Sequence, residues 1–251
     1  MLAARHALPD VGIGGLGEML AGLRDIREAS KLPCLMDGDD GYGDVKNIIR
    51  TIQSYEIAGA AGVLLEDQTR SGKQPGAGSA GNIMPPSSMG QRLRAAMAAR
   101  RSSDFIIIAR TDALATLGLD EALRRAERYL RIGADGIFVA GLKTREHFIH
   151  VGEAFKGSWN TAAIFEGTGT PWLAPSELHR MGFSQILYPN ILMGRVVKAI
   201  EQGLGRLHRL ATGDEDAFAA GVQELALKRL ADALELDKWN GLETAFSGRR
   251  T

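Results

Sequence analysis

Six short apolar runs, separated from one another by segments of helical length, constrain the fold of this chain more than any other feature. They are Leu32 to Met36, Ala61 to Leu65, Phe105 to Ala109, Ile137 to Ala140, Thr161 to Phe165 and Ser184 to Pro189. A run of four to eight apolar residues bounded by turn residues reads as a strand. Runs that are apolar throughout belong to strands buried on both faces. Between them lie helical patterns over residues 15–30, 45–58, 89–101, 144–155 and 176–182, the last capped by Ser176. Another begins at Asp120 as N-cap and carries the apolar stripe Ala122, Leu123, Ala126, Tyr129 and Leu130. Strands alternating with helices predict parallel βα units. Residues 1–14 read as loop, and residues 191–246 as helical with a break at Gly213-Asp-Glu-Asp216.

Charged residues recur just past the strand ends: Asp37 and Asp39, Glu66, Arg110 and Asp112, Glu166. That is the end at which α/β barrels carry their active sites, whereas random acidic turns would fall at both ends. Asp37 and Asp39 lie two apart, so on a continuing strand their side chains share one face. Adjacent carboxylates repel unless a cation or a proton sits between them. Oxygen ligands of this kind suit Mg²⁺ or Mn²⁺ rather than zinc. Gly41 and Gly43 allow a sharp turn and close approach to a ligand. Arg110 offers a planar, permanently charged fork to an anion; its other reading is a structural ion pair with Asp112 or Glu66. Residues 69–88 are rich in Gly, Ser and Pro and predict a lid.

Composition narrows the function classes. Thirty basic and thirty acidic residues cancel, which gives no field for nucleic acid or an anionic membrane. Nothing approaches 18 consecutive apolar residues, and the N-terminus lacks a basic-then-apolar signal. The single cysteine, Cys34, reads as a buried structural thiol of a reducing, cytoplasmic protein. The histidines fit no catalytic pattern; His147 and His150 lie three apart on a helix, and His179 and His208 on others. Trp159, Trp172 and Trp239 read as packing residues. Neither a dinucleotide fingerprint nor a Walker loop is present.

Several segments taken together resemble the isocitrate lyase/phosphoenolpyruvate mutase superfamily. They are Asp37-Gly-Asp39-Asp-Gly-Tyr-Gly43, Leu65-Glu66-Asp67-Gln68, Ile108-Ala-Arg110-Thr-Asp112-Ala113, Gly118-Leu-Asp-Glu-Ala122, Gly133-Ala-Asp135, Glu166-Gly-x-x-Thr170-Pro171 and Leu187-Tyr-Pro189. They occur in the expected order over residues 5 to 200. The resemblance implies a TIM-type (β/α)₈ barrel over residues 1–200, here expected without its first two strands. It also implies a helical extension over residues 201–251 that packs on a neighbouring subunit of a homodimer or homotetramer. By that resemblance Asp37 ligates Mg²⁺ (or Mn²⁺), while Asp39 and Glu66 complete the metal site through water. Arg110 and Glu66 would be catalytic, and Arg110, Glu166, Gly41, Tyr42, Gly43 and Thr170 would line the substrate site. The framework looks closest to methylisocitrate lyase and carboxyphosphonoenolpyruvate mutase.

The implied reaction is cleavage of a C–C bond in a small 2-hydroxy or 2-oxo dicarboxylate through a cation-stabilised enolate. Three departures bear on it. The lyases' loop cysteine is absent, since the corresponding stretch reads Gly72-Lys-Gln-Pro-Gly76, with Lys73 its only titratable group and expected to be solvated. Ala140 and Ala163 stand where lyases have polar residues. Six strands are found where a closed barrel needs eight. The alternatives are therefore oxaloacetate decarboxylase or hydrolase chemistry, P–C phosphonomutase chemistry, or a catalytically impaired paralogue or fragment.

Overall fold

The computed structural model describes residues 2–73, 81–213 and 222–247. Its chain divides into two compact units, residues 1–194 and 195–251.

Six strands form the first unit's sheet: β1 (Leu35–Asp37), β2 (Gly62–Glu66), β3 (Ile106–Thr111), β4 (Gly136–Val139), β5 (Trp159–Ala163) and β6 (Gln185–Leu187). All neighbours are parallel and the spatial order is β1-β2-β3-β4-β5-β6, a curled half-barrel whose β1 and β6 are not paired to each other. The expected six strands are thus present in the expected order. Helices α1 (Leu2–Arg5), α2 (Leu16–Ala29), α3 (Val45–Ile57), α4 (Pro86–Ala99), α5 (Leu114–Leu117), α6 (Leu119–Ile132), α7 (Arg145–Ala154) and α8 (Pro175–Met181) accompany the strands.

Alternation along each strand splits the core. Val63, Leu65, Ile107 and Ala109 pack with Ile48, Ile52, Tyr55 and Leu93 of the helices. Farther along, Ile137, Val139 and Ala162 pack with Phe148, Val151 and Leu178. The opposite face carries Leu64, Ile108, Phe138, Ala140 and Ala163, a separate apolar cluster. Each fully buried Leu, Ile or Phe contributes about 1.5–3 kcal/mol. Glu66 and Arg110 follow Leu64 and Ile108 by two residues and are direct cross-strand neighbours. Strand period therefore brings both to the same face, at its C-terminal end.

Several local expectations need correction. Leu2–Arg5 is helical rather than loop. Gly118, in a positive-φ conformation, precedes α6 where Asp120 was expected, so Asp120 joins the first turn and favours the helix dipole there. Pro175 supplies the first turn of α8 without a Ser176 cap. Trp159, Trp172 and Trp239 are 40%, 61% and 64% exposed, and Cys34 is half-buried. Asp135 of the Gly-Ala-Asp segment is structural: it accepts from Ile107 N at 2.7 Å and pairs with Arg100, at the N-terminal ends of the strands.

Helix α9 (Ile191–Thr212) leads into the second unit, which holds α10 (Val222–Ala233) and α11 (Leu236–Phe246). Val196, Ile200, Leu204 and Leu207 recur at helical spacing along α9 and are more than half exposed. Among the described residues, no helix is long and apolar enough to cross a membrane.

Candidate active site

β1 ends at Asp37, and the chain then turns through Gly38 to Gly41 with a 2.7 Å bond from Gly41 N to Gly38 O. A side chain at Gly38 would meet Val63 Cγ2 at 2.6 Å. Asp39 adopts φ +45°, a left-handed conformation disfavoured for a side-chain-bearing residue. Hence Asp39 does not continue the strand, and a turn rather than strand alternation brings it beside Asp37. The turn remains tied to the sheet, because Glu66 N donates to Asp39 O at 2.8 Å. The outcome is a cluster in which one carboxylate oxygen from each of Asp37, Asp39 and Glu66 lies within 4.8 Å of the others.

The glycines that follow serve packing. A Cβ at Gly41 would sit 1.8 Å from Ile48 Cδ1, and one at Gly43 would sit 2.0 Å from Asn47 Nδ2. Helix α3 therefore presses on this loop, and Asp44 caps it by accepting from Lys46 N and Asn47 N. Tyr42, at φ +62°, points its hydroxyl back into the fold. It donates to Asp37 O at 2.9 Å, Tyr55 Oη lies 3.0 Å from the same carbonyl, and the two hydroxyls are 2.9 Å apart. Arg92 donates to Asp40 O and Gly43 O. Two strained residues are thus held by α3 and α4, as expected of a preorganised site.

Arg110 is 8% exposed and forms both of the ion pairs that its structural reading anticipated. Its Nε and Nη2 grip Asp112 at 2.8 and 2.7 Å, and Nη1 lies 3.0 Å from Glu66 Oε2. A guanidinium has five N–H groups, so donors on Nη1 and Nη2 remain for a ligand. Behind this pair, Asp67 accepts from Thr111 Oγ1 (2.8 Å), Asp112 N (2.9 Å), Arg125 Nη1 (3.1 Å) and Tyr129 Oη (2.9 Å). Asp67 therefore fixes Asp112, and Asp112 fixes Arg110.

Crowding by protein and then by the Asp39 carboxylate pushes the Asp37 pKa up, although its side chain still meets solvent. Burial pushes Glu66 up to about 8, against the pull of Arg110. Both shifts mark carboxylates that lack enough positive charge. Two cations from the segment after β2 partly answer this. Arg70 lies 3.7 Å from both Asp39 and Asp40 and 5.1 Å from the Tyr42 ring centroid. Lys73, expected in solvent, is instead 9% exposed and paired with Asp39, Glu66 and Asp10.

Glu166 and Thr170 are carried by the segment that follows β5. β5 ends at Ala163, three residues before Glu166, which is exposed; Thr170 Oγ1 contacts Thr168 Oγ1 at 3.2 Å. Of the expected lid, residues 74–80 lie outside the described residues. Its flanks are ordered by a short 3₁₀ turn (Arg70–Gly72) and an isolated bridge from Gln68 to Ile83.

Comparison with known proteins places this geometry. Residues 1–208 match the family described as phosphoenolpyruvate phosphomutase. The chain belongs to that family. Among family relatives, it is 37% identical over 198 residues to 2,3-dimethylmalate lyase of Eubacterium barkeri, covering 79% of this chain and 68% of the relative. It is 35% identical over 240 residues to a probable 2-methylisocitrate lyase of Corynebacterium glutamicum, covering 96% and 77%. The structure of oxaloacetate acetylhydrolase with 3,3-difluorooxalacetate superimposes with TM-score 0.86 at 26% identity, over 99% of this chain and 83% of that one. Phosphonopyruvate hydrolase with oxalate and Mg²⁺ does so with TM-score 0.79 at 25% identity, over 98% and 83%.

Proposed function

We propose that this chain is a divalent-cation-dependent carbon–carbon lyase acting on a small 2-hydroxy or 2-oxo dicarboxylate. The observation that carries the reading is the convergence of Asp37, Asp39 and Glu66 beside a clamped, buried Arg110. Three converging carboxylates, two of them with raised pKa values, suit a hard cation. Mg²⁺ is favoured, since the phosphonopyruvate hydrolase neighbour holds it with oxalate. When bound, such an ion supplies electrostatic stabilisation of the oxyanion that develops as the bond beside a 2-oxo group breaks.

The chain's own residues then have distinct tasks. Asp37, Asp39 and Glu66 hold the cation. The remaining N–H groups of Arg110 bind a substrate carboxylate, and Asp112 and Asp67 keep the guanidinium oriented for it. Tyr42 and Tyr55 fix Asp37 through its carbonyl. Gly41 and Gly43 shape the loop against α3, and Glu166 and Thr170 approach substrate from the loop after β5.

A second reading within the family, hydrolysis or decarboxylation of an oxaloacetate-like acid, has one observation in its favour. The chain's single cysteine, Cys34, precedes the N-terminal end of β1, and the segment Gly72-Lys-Gln-Pro-Gly76 offers no thiol as proton donor. The exposed apolar face of α9 supports a homo-oligomer, which light scattering checks, and a single free cysteine fits a reducing, cytoplasmic setting.

The testing experiment is twofold. In D₂O with Mg²⁺, the protein should exchange the methyl protons of pyruvate, and 2,3-dimethylmalate or 2-methylisocitrate should release a 2-oxo acid. Asp37→Ala should abolish both. Exchange without cleavage favours the second reading, and neither reaction in the wild type contradicts both.

A further inference from the structure

Lys73 brings a positive charge into the very cluster assigned to the cation. Its Nζ donates to Asp39 and lies 3.5 Å from Glu66 Oε1 and 3.5 Å from Asp10 Oδ1. Two of these three carboxylates belong to the proposed metal ligands. The lysine closes the 3₁₀ turn Arg70–Gly72, with its N donating to Arg70 O at 3.3 Å.

The two cations of that turn are held differently. Arg70 also lies 3.7 Å from Asp39, but it is anchored by backbone carbonyls, donating to Gly12 O at 2.6 Å and Gly14 O at 3.0 Å. Every partner given for the Lys73 ammonium among the described residues is a carboxylate. Arg110 differs again, since Asp112 grips it from two nitrogens and cannot release it without stranding a buried charge. Only Lys73 is a compact charge on a flexible four-carbon stem, so it is the one cation here that can leave.

We propose that the Lys73 ammonium and a divalent cation are alternative occupants of the Asp39–Glu66 carboxylates, so that metal binding expels Lys73 and moves the turn that carries it. This rests on the reading of Asp37, Asp39 and Glu66 as metal ligands. The physical reason is simple. An ammonium within 3.5 Å of a ligand oxygen repels an entering divalent ion strongly in a partly buried site. The same carboxylates cannot direct their lone pairs at both. Before the ion binds, Lys73 offsets the mutual repulsion of the acids and keeps them gathered; afterwards it is redundant. Metal affinity then becomes a difference between two cations, and the segment leading into residues 74–80 reports which one is bound.

Amine labelling tests this on the wild-type chain. The protein is treated with an acetylating reagent in EDTA or in saturating Mn²⁺, and Lys73 modification is read by mass spectrometry against the exposed Lys46 and Lys143. With Mn²⁺, Lys73 labelling should rise about fivefold or more relative to those two, as expected for an amine released from buried ion pairs. An unchanged or lower rate overturns the proposal. In parallel, calorimetry should show Mn²⁺ binding about tenfold tighter to Lys73→Met and near wild type to Lys73→Arg, because only the first removes the competing charge. Equal or weaker binding to Lys73→Met overturns it as well. Should Lys73→Met fail to fold, the labelling result decides. Asp37→Ala separates the two claims. If it binds Mn²⁺ as the wild type does, the metal site itself is wrong. If it loses binding while wild-type labelling does not respond to Mn²⁺, only the coupling falls.

Discussion

The C-terminal ends of β1–β3 and those of β4–β6 belong to one curled sheet, yet their chemistry is opposite. Past the first three lie Asp37, Asp39, Glu66, Asp67, Arg110 and Asp112, tied by ion pairs and by hydrogen bonds to Asp67. The last three end near Ala140, Ala163 and Leu187, part of the apolar cluster with Leu64, Ile108 and Phe138. Arg110 touches both, lying 5.6 Å over the Phe138 ring. One half of the rim concentrates charge, and the other provides an apolar wall that keeps the local dielectric low. The same charge pairs would be worth far less at an open surface. Ala140 and Ala163, small and buried, fit this apolar half.

Substitutions can break this contrast. The largest effect is expected at Arg110, because Arg110→Ala strands Glu66 and Asp112 without their cation. It should cost about 3–5 kcal/mol in denaturant unfolding and remove pyruvate exchange. A loss below about 1 kcal/mol would mean that the pairs are peripheral. Next comes Asp67→Asn, which keeps the shape but spoils a carboxylate with four donors. It should cost about 1–3 kcal/mol, and it should raise KM more than Tyr129→Phe, which removes one donor.

A pH effect follows from Glu66. Its folded pKa of about 8 exceeds the ordinary 4.5, so the folded state holds this proton more tightly than the unfolded chain does. Its contribution to stability is full below the ordinary value and is lost as pH rises through about 8. Glu66→Gln should therefore be less sensitive than the wild type between about pH 5 and 9 in metal-free denaturation; parallel curves would refute the assignment. At the small end, Glu166→Gln and Thr170→Ala sit on the exposed loop after β5 and should shift stability by less than about 0.5 kcal/mol. A cost comparable to that of Asp67→Asn would erase the contrast between the two halves.

Much of the frame was legible because strands buried along their whole length, such as β2 and β4, write themselves as uninterrupted apolar runs. The edge strands β1 and β6 are only partly buried, yet their short runs, and the acids beyond the first three strands, could be read as well. Asp39 reached its place for a different reason from the one expected: the left-handed turn at Gly38–Gly41 replaced strand alternation. Glu166 stands three residues past its strand rather than directly after it, because β5 stops at Ala163, two residues before its apolar run ends at Phe165. Partners brought in from distant segments left no local signal. Tyr129 read as part of the α6 apolar stripe, and Tyr55 and Arg125 stood in no pattern, yet they anchor Asp37 and Asp67. Lys73 was misjudged because a glycine-rich context suggests solvent, whereas three carboxylates draw it inward.

The central claim is that the charged half of the rim is a cation site built on Asp37. Calorimetric titration of Mn²⁺ into the wild type, Asp37→Ala and Glu166→Gln tests it most directly. One ion should bind to the wild type and to Glu166→Gln with similar affinity. Asp37→Ala should lose at least about 100-fold, the upper end of what even an outer partner of a metal ligand costs. Equal binding by all three proteins, or a greater loss in Glu166→Gln, would contradict it.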